Sequence, residues 1–110
     1  MKIAKNNRLS AVIAGSIVLY PGTNVVPDTF GKEAELLMSC GVVELFEHAD
    51  KLPDYKQIQL IRDCNSVNVA KKLPSLLRAG MKTEIKNRIS VLEDFISRVE
   101  KSKDDGAKHV

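Results

Sequence analysis

Tyr20-Pro21-Gly22-Thr23-Asn24-Val25-Val26-Pro27-Asp28 decides how the rest of this chain is read. Pro21 and Pro27 each hold φ near about −65° and push the preceding residue toward extended geometry, whereas Gly22 and Asn24 tolerate positive φ. The stretch therefore predicts a type II turn with Pro21 ahead of Gly22, a short extended piece, and a helix capped by Asp28 or Thr29. It reads as a stiff hinge between a β-rich beginning and the first helix, with Pro21, Gly22, Asn24 and Pro27 as its structural residues.

On the upstream side, Ala11-Val12-Ile13-Ala14 and Ile17-Val18-Leu19-Tyr20 are β-prone runs separated only by Gly15-Ser16. Glycine at the first turn position predicts a tight type II′ hairpin, and the β-branched residues argue against helix. On the downstream side, Ala34, Leu37 and Met38 share one face of a helix of about ten residues that Gly41 ends as a left-handed stop. Val42-Val43-Glu44-Leu45-Phe46-Glu47 reads as a third strand that joins the hairpin.

From His48 to Lys56 the chain is polar, contains Pro53 and has no period. Beyond it, Ile58, Ile61 and Cys64 follow helical spacing, and Asn65-Ser66 stops that helix and caps the next. Pro74 makes the following helix short or begins it, because an interior proline costs about 3 kcal/mol. Thr83 is the expected cap of the longest element, whose apolar residues Ile85, Ile89, Leu92, Phe95, Ile96 and Val99 recur at 3.6-type spacing. The fold class is thus α+β: an N-terminal β-hairpin plus a third strand packed on a short helix, then a C-terminal helical hairpin. The expected boundaries are an N-terminal arm over 1–9, a small α/β unit over 10–47, a connector over 48–56, a helical unit over 57–101 and a disordered tail over 102–110.

A chain of 110 residues with 44% hydrophobic and 28% charged residues can build one core. No apolar run is long enough for a bilayer span, so no membrane association is expected. Lys2, Lys5 and Arg8 ahead of Leu9–Tyr20 outline a signal peptide, but Gly15-Ser16 interrupts its apolar core, and secretion by that route is not expected. Cys40 and Cys64 are too few for a disulfide framework and point to a reducing compartment, both as buried small apolar side chains.

The formal charge of +3 is unevenly placed. Most of the excess lies in Lys71, Lys72, Arg78, Lys82, Lys86 and Arg88, opposed only by Glu84. That cluster is a candidate contact for phosphate or for an acidic partner, and it supports nucleic-acid binding as the alternative function. No HExxH, GxSxG, GxxxxGK[ST], GxGxxG or paired CxxC pattern occurs, so the reading is non-enzymatic, with no catalytic, cofactor-binding or metal-binding residue assigned. His48, beside Asp50, reads as an exposed turn residue.

Leu19-Tyr20-Pro21-Gly22-Thr23-Asn24-Val25-Val26-Pro27, followed by a helix and then Gly41-Val42-Val43-Glu44-Leu45, resembles small proteins encoded in the head-gene region of tailed bacteriophages and Mu-like prophages. The correspondence covers roughly residues 10 to 47, with Phe30 standing where an aromatic is expected near the helix start. The resemblance implies a structural or head-assembly protein, found in the virion or the host cytoplasm, with capsid or neck proteins as partners. The stripe of the last helix reads first as core against the Leu73–Leu77 helix; a stripe of that length on so small a body also offers Ile85, Ile89, Leu92, Ile96 and Val99 as a candidate partner helix face, with an oligomer through the same helix as a further option.

Overall fold

The computed structural model describes residues 1–108 of the chain. Its centre is a three-stranded antiparallel sheet in which β1 (Lys2–Asn6) lies between β4 (Gly22–Val26) and β5 (Val43–Phe46). The hairpin of β2 (Val12–Ala14) and β3 (Ile17–Leu19) forms a separate two-stranded sheet. Gly15 alone takes a positive φ, of 63°, in its turn, as a type II′ turn requires.

Two expectations are corrected here. Residues 1–9 are no arm, because Lys2–Asn6 is the central strand, and β5 pairs with β1, not with the hairpin. The reason is burial on both faces. Ile3 and Ala4 are both fully buried, so the strand lacks the polar–apolar alternation that marks a half-exposed one. The register Ile3↔Val25, Ile3↔Phe46 and Ala4↔Leu45 then sorts side chains onto two faces.

Each face has its own core. Ile3, Val25 and Phe46 pack with Leu60, Ile61, Leu73 and Ile85 of the helical part. On the other side Ala4, Val26 and Val43 pack with Ala14 and Leu19 of the hairpin and with Phe30 and Ala34. The helical unit is therefore built directly onto the sheet.

The first helix, α1 (Glu35–Ser39), is shorter than expected and follows a 3-10 turn at Lys32–Ala34. Gly41 does end it in the left-handed region, at φ 75°, with Gly41 N–H donating to Met38 O and Val42 N–H to Leu37 O. Neither Asp28 nor Thr29 caps it, since Gly31 and Ala34 precede its two turns without a side-chain cap. Cys40 is exposed, against expectation, because Ala34 and Leu37 are the residues that turn inward.

The connector is structured. Ala49–Lys51 forms a 3-10 turn and α2 runs over Asp54–Arg62. Gln57, fully buried, donates to the carbonyls of Asp50 (3.1 Å) and Leu52 (2.8 Å) and accepts from Arg78 N–H (3.1 Å). Ser66 caps α3 (Val67–Lys72) through Val69 N–H, and Pro74 sits in the 3-10 turn Leu73–Ser75 that follows. A further 3-10 turn, Ala79–Met81, leads into α4 (Lys82–Lys108), so Thr83 lies inside the helix and is not its cap. α4 extends as far as Lys108, into the stretch 102–110 expected as a disordered tail, whose last two residues lie outside the described residues. No helix among the described residues is long and apolar enough to cross a membrane.

Candidate functional site

The motif at Tyr20–Pro27 is a clamp and not a hinge. Gly22 has φ 90°, the sign expected, but no type II turn bond closes the corner. Thr23 N–H donates to Asp63 O at 3.1 Å instead. The corner is closed by Asn24, whose side chain accepts from Tyr20 N–H (3.1 Å) and donates to Tyr20 O (2.8 Å). Asn24 itself keeps a negative φ, because it is a paired residue of β4. Thr23 Oγ donates to Leu60 O at 2.6 Å and Asn65 Nδ2 to Pro21 O at 2.9 Å, fastening the strand to the end of α2. Pro27 follows the strand end, and its carbonyl accepts from Phe30 N–H.

Other elements converge on the same turn. Lys5 of β1 pairs with the Asp63 carboxylate at 2.9 Å. Arg88 of α4 donates to Cys64 O (2.9 Å) and Asn65 Oδ1 (3.2 Å). Cys64 is buried in this turn, just beyond α2, with its thiol donating to Ser66 O, and burial raises its pKa.

The basic cluster is accordingly divided. Arg88 is committed to the turn, and Arg78 to Leu52 O and the Asp54 carboxylate, where it closes the start of α2. Lys71, Lys72, Lys82 and Lys86 are exposed. The six are neighbours along the chain, and nothing in their spacing marks which of them a backbone carbonyl engages. His48 is exposed ahead of the Ala49–Lys51 turn. Among the described residues no three His, Cys, Asp or Glu side chains are grouped to hold a metal ion.

The apolar face of α4 behaves differently along its length. Ile85 is buried in the core and Ile89 packs against it. Farther along, Leu92 is only half-buried, Ile96 is 46% exposed and Val99 38% exposed. Val91 and Phe95, on the adjoining flank, are 56% and 65% exposed. The stripe thus begins as core and ends as bare surface, because the body of the protein is shorter than the helix. A helix of 27 residues spans about 40 Å at 1.5 Å per residue. The radius of gyration is 15.7 Å, where a compact chain of this length has about 13 Å.

At its base the bare face meets a second apolar surface. A groove of about 310 Å³ lies between Asn65, Arg88, Val91, Leu92 and Phe95. A groove of about 520 Å³ begins at the same Asn65 and runs past Ser66 and Val69 to Tyr20 and Pro21. The outer side of the hairpin adds exposed Ile13 and Val18, directly opposite one another in register. The stripe is legible in its spacing and the hairpin surface is not, since alternation predicts which residues face out but not whether another layer covers them. Compared with known proteins, the chain matches no family model, no curated protein and no solved structure.

Proposed function

We propose that this protein is a non-enzymatic assembly protein that works by protein–protein docking, and that its setting is the head or neck of a tailed bacteriophage particle. The observation that carries the docking reading is the distal half of α4, where Val91, Phe95, Ile96 and Val99 stand exposed on one side of a helix already anchored by Ile85. Exposed large apolar side chains at helical spacing are what helix-in-groove and helix-on-helix recognition uses. Burying each one fully is worth about 1.5–3 kcal/mol, so a handful is enough for specific association. The phage setting is supported by the resemblance of Leu19–Pro27 and Gly41–Leu45 to head-region proteins. Mass spectrometry of particles and assembly intermediates, purified from the strain that encodes the chain, tests it. The protein is expected in one or both, and its absence from both removes the phage setting.

A further inference from the structure

We draw no further inference here: the strongest candidate, the bare apolar face that Val91, Phe95, Ile96 and Val99 form along the distal half of α4, belongs to the docking surface already described, and nothing in the structure shows what covers it.

Discussion

Gly22 lies so close to the carbonyl of Asp63 that a Cβ added to it would stand 2.0 Å from that oxygen. The approach lets Thr23 N–H reach the same carbonyl, so the only side chain that fits is none. Gly22→Ala is therefore expected to cost about 3 kcal/mol or more, since backbone must move as well as φ. Gly41, at φ 75° with open space around it, isolates the dihedral contribution, and Gly41→Ala should cost about 1 kcal/mol. Urea melts of the two variants compare them, and equal losses would mean that the contact with Asp63 is unimportant.

Gln57→Leu should destabilise the protein by about 2–4 kcal/mol, although the two side chains are similar in volume. The substitution leaves the carbonyls of Asp50 and Leu52 and the N–H of Arg78 without their partner. Chemical denaturation measures this; a loss below about 0.5 kcal/mol would show that water replaces the amide readily.

What was legible in the sequence was local. The Gly15-Ser16 turn, the Gly41 stop, the Ser66 cap and the α4 stripe each depend on residues within a few positions of one another, and each formed as read. The misreadings are long-range. Lys2–Asn6 looks polar and short, and only its two partner strands, about 20 and 40 residues away, turn it into the sheet's centre. Likewise Asn24 looked like a turn residue, yet its amide serves the Tyr20 backbone from within a strand. The candidate site was half legible: spacing located the stripe, but its exposure depends on how far the body reaches along α4.

The two cysteines should separate sharply in reactivity. Cys40 is exposed and Cys64 fully buried, with its pKa raised by burial. A thiol reagent at pH 8 should label one equivalent at once and the second only on unfolding. The folded state holds the Cys64 proton more tightly than the unfolded chain does. Its contribution to stability is therefore present below the ordinary value of 9.0 and declines as pH rises past it. Fast labelling of both thiols in the native protein would contradict the burial.

Within the basic cluster, Arg88→Met should cost about 1–3 kcal/mol by removing the bonds to Cys64 O and Asn65, whereas Lys71→Ser or Lys86→Ser should change stability by less than about 0.5 kcal/mol. With two of six cations engaged internally, a gel shift at about 50 mM salt and micromolar protein should show no retained nucleic acid. Retention that falls steeply with salt and disappears when the four exposed lysines are replaced would instead favour the nucleic-acid reading.

The central claim, docking through the distal half of α4, is tested most directly by a photo-reactive residue placed at position 95 in cells assembling particles, with position 55 as the exposed aromatic control. Both side chains are 65% exposed, so accessibility alone does not distinguish them. Crosslinks from position 95 to a second copy or to a particle protein, with none from position 55, are the predicted result. Equal yields from the two positions, or none from position 95, would contradict it.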